Sequence, residues 1–249
     1  MSNPPENAGN SPVHRHGPVE IEVFTLGPFE TNCMVVWPAG GAGERDRPEG
    51  ERECVVVDAG MGAERMLKAI RSRGARVTAI ILTHAHMDHI AGVGAIKSAF
   101  PEAPIMIHEA EREWLTNPQL NLSMLGGFPV TAPPADRLLK EGEIVEIFDV
   151  SHSGGSGERA VKFEVRHTPG HSPGGITLVV QGGGVALVGD ALFAGSIGRT
   201  NFPGSDFETL ERSICEKLYT LPEETVIFPG HGPTSTIGRE KRSNPFVRG

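Results

Sequence analysis

Short apolar runs rich in valine alternate with turn-forming residues along the first sixty positions. Residues 20–25, 33–37 and 53–57 read as strands, with 38–52 as a polar, glycine-rich hairpin loop between the second and third. Periodicity then changes: Met66 and Ile70, with Leu67 beside them, mark the buried face of a helix over 63–73. An apolar strand follows at 77–82, then a helix from about His89 whose Ile90, Val93, Ile96 and Phe100 recur at helical spacing. Residues 116–135 carry Met124, Leu125, Phe128 and four prolines, the make-up of a long loop used as a lid or binding loop or packed on itself. The second half returns to strands at 144–150, 161–165, 176–180 and 185–188, then a helix over 207–218 and a strand over 225–228. Strands, helices, strands, helices in that order predict a layered α/β sandwich. The first eighteen residues, with four prolines and no apolar core, read as a disordered tail before one domain spanning 19–249.

Composition narrows the function classes. The chain has 249 residues with 38% hydrophobic and 22% charged, a soluble globular balance. A net charge of −8 argues against a broad phosphate-binding surface and hence against a nucleic-acid partner. The longest uncharged stretch, 168–189, is broken by His171, Gln181 and glycines, so no membrane partner is expected. Three scattered cysteines, Cys33, Cys54 and Cys215, exclude a disulfide framework and point to a reducing cytoplasm. Nothing here decides for or against a homo-oligomer.

Ten histidines stand against one tyrosine and two tryptophans. The densest group is Thr83-His84-Ala85-His86-Met87-Asp88-His89, at the end of an apolar strand. His84 and His86 are two apart, so an extended chain turns both rings to one side. Asp88 and His89 sit where the chain turns into a helix and can face the same point. Three imidazoles and a carboxylate are the donors that Zn²⁺, Fe or Mn favour. His171 in a Pro/Gly loop, Asp190 directly after a strand and His231 in Pro229-Gly230-His231-Gly232 share this position at strand termini. Seven donors are too many for one tetrahedral metal and suit two metals sharing a carboxylate. The remaining histidines read blandly: His14 and His16 in the tail, His108 at a helix start, His152 in a loop, and His167 in a structural hydrogen bond.

HxHxDH followed by isolated His, Asp and His resembles the metallo-β-lactamase superfamily, from about residue 19 to the C-terminus. Gly195-Ser196-Ile197-Gly198-Arg199-Thr200, Pro229-Gly230-His231-Gly232-Pro233 and Lys241-Arg242-Ser243-Asn244-Pro245 are similar to its glyoxalase II-like branch, in its short bacterial form. The resemblance implies a four-layer αββα sandwich. It implies one metal held by His84, His86 and His171, a second by Asp88, His89 and His231, and Asp190 bridging them. It also implies that Asp58, in Val57-Asp58-Ala59-Gly60, orients a metal-bound histidine. The implied enzyme hydrolyses acyl thioesters, first of all S-2-hydroxyacylglutathione, by attack of a metal-bridging hydroxide, with zinc the first expectation and iron or manganese admitted. Arg199, Lys241 and Arg242 are the candidate contacts for an anionic substrate. Only eighteen residues follow His231, whereas the longer glyoxalase II enzymes continue into a helical domain. True β-lactamases of the family use a cysteine at one metal position; no cysteine here lies in a matching motif, which sets that activity aside. The rival readings are a mononuclear-iron persulfide dioxygenase on the same fold and a non-catalytic metal-binding module.

Overall fold

The computed structural model describes residues 11–39, 52–148 and 161–249. Its first sheet runs in sequence order: β1 (Val13–His16), β2 (Val19–Leu26), β3 (Thr31–Pro38), β4 (Arg52–Val57), β5 (Ala75–Ile81), β6 (Ile105–His108) and β7 (Arg137–Leu139). Then come β8 (Ile144–Phe148), β9 (Val161–His167), β10 (Ile176–Val180), β11 (Val185–Gly189), the hairpin β12 (Leu192–Phe193) and β13 (Ser196–Ile197), β14 (Val226–Pro229) and β15 (Ser235–Thr236). The second sheet has the order β15-β14-β11-β10-β9-β8. Helices α1 (Glu64–Ser72), α2 (Met87–Ile90) and α3 (Val93–Ala99) belong to the first half, α4 (Phe207–Ser213) and α5 (Ile237–Ser243) to the second.

Valine runs buried on both faces make the four layers possible. Val55 and Val57 of β4 enter the core between the sheets, with Ile21, Met34, Ile81, Phe163, Leu178 and Phe228. Cys54 and Val56 of the same strand point the other way, toward Met66, Ile70, Val93 and Ile96 of α1 and α3. On the far side, Ala186, Val188 and Ile227 pack against Leu210, Ile214, Leu218 and Ile237. The architecture is the expected αββα sandwich.

Three local features depart from the sequence reading. Val13–His16 is not tail but an edge strand paired with β2, and the His14 and His16 rings lie edge-on to Phe228 at 5.2 and 5.6 Å. The expected helix from His89 is split into α2 and α3 at Ala91-Gly92. There the backbone passes so close to its neighbour that a Cβ on Gly92 would lie 2.4 Å from the Gly60 carbonyl oxygen. The helix over 207–218 continues beyond α4 as a π turn, Ile214–Leu218. β6, β7 and α5 gave no clear pattern in the sequence because each is short. The end of the expected strand 144–150, most of the 38–52 loop and His152 lie outside the described residues.

Candidate metal centre

Every candidate donor, and Asp58 with them, follows the carboxyl end of a strand at one rim of the sandwich. Asp58 follows β4, the His84–His89 segment follows β5, His171 follows β9, Asp190 follows β11 and His231 follows β14. β4–β5 and β11–β14 pair in parallel, so these ends point the same way, where open α/β sheets build sites.

The structure brings seven of the expected residues together. His84, His86 and His171 offer donor atoms within 4.8 Å of one another, as do His84, His89 and Asp190, and again Asp88, His89 and His231. Asp190 lies between the groups: its Oδ2 is 3.4 Å from both His171 Nε2 and His231 Nε2, and its Oδ1 is 3.4 Å from His89 Nε2. His231 Nε2 also stands 3.2 Å from Asp88 Oδ2. Side-chain exposure is 28% at His231 and 17% at Asp88, against 0% at His89, so the Asp88–His231 side faces solvent. Gly230 is required here, because a Cβ would fall 2.1 Å from Asp190 Oδ1 and 2.7 Å from His89 Cε1.

The imidazoles are oriented by partners on their other nitrogen. His89 Nδ1 donates to Asp58 Oδ2 at 2.8 Å, His171 Nδ1 to the Arg199 carbonyl at 2.8 Å and His231 Nδ1 to the Phe29 carbonyl at 3.0 Å. Thr83 Oγ1 donates to Asp58 Oδ2 at 2.7 Å and stands 3.2 Å from His84 Nδ1 as its acceptor. Asp58 thus touches the centre through His89. It adopts φ +58°, a left-handed conformation that aspartate tolerates better than most residues. His86 is reversed: its Nδ1 lies 2.9 Å from His171 Nε2.

Among the described residues, His84 Nε2, His89 Nε2 and Asp190 Oδ1 are buried without a hydrogen-bond partner. Buried polar atoms left orphaned in such density are costly unless something fills the space between them. The donors, five imidazoles and two carboxylates converging on one space, fit divalent metal ions.

Charge divides the site. Burial, joined by repulsion from neighbouring imidazoles, holds His84 well below the ordinary histidine range, His86 at about 3, and His171 also low. At His89 burial acts in the same sense, but Asp88, Asp190 and Asp58 outweigh it and hold the ring well above that range. His231 is likewise pulled down by burial yet raised to about 10 by hydrogen bonds to Asp190 and Asp88. Burial alone would raise Asp88 and Asp190, but the surrounding imidazoles hold both carboxyls low and ionised.

Some contributors left no mark in the sequence. Thr31 Oγ1 donates to Asp88 Oδ2 at 2.7 Å, and Asn32 Nδ2 donates to the carbonyls of Pro229 and Gly232 that frame His231. Both look like ordinary strand residues. Phe202 lies 5.7 Å from His86 and carries the Arg199 guanidinium over its ring at 4.4 Å, so Arg199 stands beside the cluster. Lys241 and Arg242 are not brought to it. Lys241 Nζ donates to the Tyr219 carbonyl, Arg242 pairs with Glu223, and neither makes a polar contact with a cluster residue among those described. His167 makes a structural hydrogen bond through Nε2 to the Pro173 carbonyl, as expected, and His108 caps a short helical turn.

Comparison with known proteins places these observations. The pattern of the Metallo-beta-lactamase superfamily matches residues 26–231. A protein of Haemophilus influenzae named hydroxyacylglutathione hydrolase GloC is 33% identical over 230 residues, covering 92% of this chain and 98% of that one. The crystal structure of BLEG-1 B3 metallo-beta-lactamase superposes with a TM-score of 0.79 at 38% identity, covering 92% of this chain and 100% of that one. That of TTHA1623 in a di-iron-bound form gives 0.71 at 33%, covering 90% and 99%. No described helix is long and apolar enough to cross a membrane.

Proposed function

The chain belongs to the metallo-β-lactamase superfamily as a metallo-hydrolase, and on that premise we propose that it hydrolyses acyl thioesters, S-2-hydroxyacylglutathione first among them, at a dinuclear metal centre. In this reading His84, His86 and His171 would hold one metal ion, Asp88, His89 and His231 would hold the second, and Asp190 would serve both. The observation that carries it is the place of Asp190, whose two oxygens reach toward histidines of both groups. Two divalent ions, zinc first with iron or manganese as alternatives, would supply Lewis acidity toward a carbonyl oxygen and bring the ionisation of water toward neutral pH.

The protein's own part is positioning. Asp58, the Arg199 carbonyl and the Phe29 carbonyl fix the tautomer and direction of His89, His171 and His231. Asp88 and Asp190, both ionised, act as ligands and not as acids. A thiolate leaves without a proton, so a thioester suits a site whose carboxyls have none to give. Arg199, its guanidinium over the Phe202 ring beside His86, is the group that would meet a carboxylate of a glutathione-type thiol. The similarity to GloC across nearly the whole of both chains supports the same substrate class.

The likeness to BLEG-1 supports β-lactam hydrolysis as a second reading, against the expectation drawn from the lack of a matching cysteine. Its leaving nitrogen asks for a proton that Asp88 and Asp190 do not carry. The test is release of free thiol from S-lactoylglutathione by metal-loaded protein under anaerobic conditions, beside a chromogenic β-lactam. Thiol release without oxygen supports the proposal. Turnover of the β-lactam alone, or oxygen uptake on glutathione persulfide without thioester turnover, would replace it with the second reading or with the dioxygenase.

A further inference from the structure

A buried carboxylate outside the donor set ties two of the donor loops together. Glu111 ends a short helical turn, Glu109–Glu111, directly after β6, and is fully buried. Its Oε2 accepts the backbone N–H of Ala85 at 2.6 Å, and its Oε1 accepts that of Gly174 at 2.7 Å. Ala85 lies between His84 and His86, and Gly174 lies three residues after His171. One carboxylate therefore grips the turn that presents two imidazoles of the three-histidine group and the turn that presents the third.

The grip is close on both sides. A Cβ on Gly174 would fall 2.8 Å from Glu111 Cγ and 3.0 Å from its Cδ, so only glycine lets this backbone reach the carboxylate. Both oxygens face N–H donors, which an amide cannot match: a glutamine here must turn its NH₂ toward one of the two N–H groups. Asp58 makes a comparable grip on the other side of the same segment, accepting Thr83 N–H at 2.8 Å and His89 Nδ1. Asp58 reaches the second metal group through His89, whereas Glu111 grips backbone that flanks the first, at Ala85 and Gly174, with the Ser172 side chain beside it.

We propose that Glu111 is a positioning residue for the three-histidine metal position, holding the His84–His86 turn and the His171 turn at a fixed separation. This rests on the dinuclear reading above. Loss of the grip acts on one metal position and leaves the other, because Asp88, His89 and His231 are oriented by Thr31, Asp58 and the Phe29 carbonyl.

The test uses full-length wild-type protein and Glu111→Gln, both stripped of metal and titrated with Zn²⁺ against a chromophoric chelator. A parallel Co²⁺ titration reads the visible absorption of each equivalent. The expected result is one equivalent weakened by about 10- to 100-fold, the usual cost of losing an outer partner of a ligand, with an altered cobalt spectrum and the other equivalent unchanged. Glu111→Asp keeps the charge but is one methylene too short to reach both amides, and shifts the same equivalent by less. Two equivalents that match wild type in either folded variant overturn the proposal. Equal weakening of both, with a lowered thermal midpoint of the metal-free protein, overturns it in favour of a general structural role. A wild-type protein that takes up no metal refutes the dinuclear reading itself, an outcome distinct from the other two.

Discussion

The two halves of the candidate metal centre meet at Asp190 on one rim of the sandwich, yet they are built with opposite electrostatics. His84, His86 and His171 crowd together in a desolvated space that keeps all three neutral. His89 and His231 lie among Asp58, Asp88 and Asp190, which keep them protonated at neutral pH. A metal must meet neutral imidazole, so the first half is ready to bind while the second must first release protons. Similar ligand atoms thus give two unlike positions, and the difference lies in the carboxylates set around them.

The largest effects come from removing a shared or central donor. His84→Ala and His171→Ala should each lower hydrolysis by more than the ~10- to 100-fold typical of an outer partner, with one metal equivalent lost in elemental analysis. Asp190→Asn should weaken both equivalents, because a neutral amide is a poor bridge between two cations. Weakening of only one would break the symmetry assigned to Asp190.

The pH dependence sharpens the comparison. His231 at about 10 and His89 above its ordinary range both hold protons at pH 7, and acid strengthens the proton as a competitor. Affinity at the Asp88–His89–His231 position should therefore fall as pH drops from 8 to 6, by up to about tenfold per unit for each proton displaced. The three-histidine position should stay nearly flat across that window, since its rings are already neutral. Equal pH slopes in metal titrations would refute the contrast.

The smallest effects concern the substrate. Arg199→Ala should raise KM for S-lactoylglutathione several-fold with little change in kcat, the pattern of lost ground-state binding. The Lys241→Ala, Arg242→Ala pair should change KM by less than about twofold, since these side chains are engaged with Tyr219 and Glu223. A larger KM effect for the pair than for Arg199 would reverse that ranking.

The donors were legible in the sequence because their spacing is local and their chemistry unusual. His84 and His86 two apart on an extended chain, and single His or Asp residues at strand ends, announce themselves without a fold. Long valine runs likewise declared buried strands, and the sandwich followed. What stayed hidden was long-range: Thr31 meets Asp88 57 positions away, and Asn32 frames His231 across the sheets. Glu111 is one of three acids between His108 and Trp114, and only the approach of Gly174 singles it out. Short elements such as β7 carry too few residues for a period to show, and the break between α2 and α3 follows from a backbone contact with Gly60 that local pattern does not contain.

The central claim is two unlike metal positions joined by Asp190, and metal stoichiometry tests it most directly. Stripped protein dialysed against excess Zn²⁺ at pH 8 and at pH 6 should hold two equivalents per chain at pH 8. At pH 6 it should keep one tightly and the other weakly. A single equivalent at pH 8 under excess metal, or two equivalents lost in parallel as pH falls, would contradict the account.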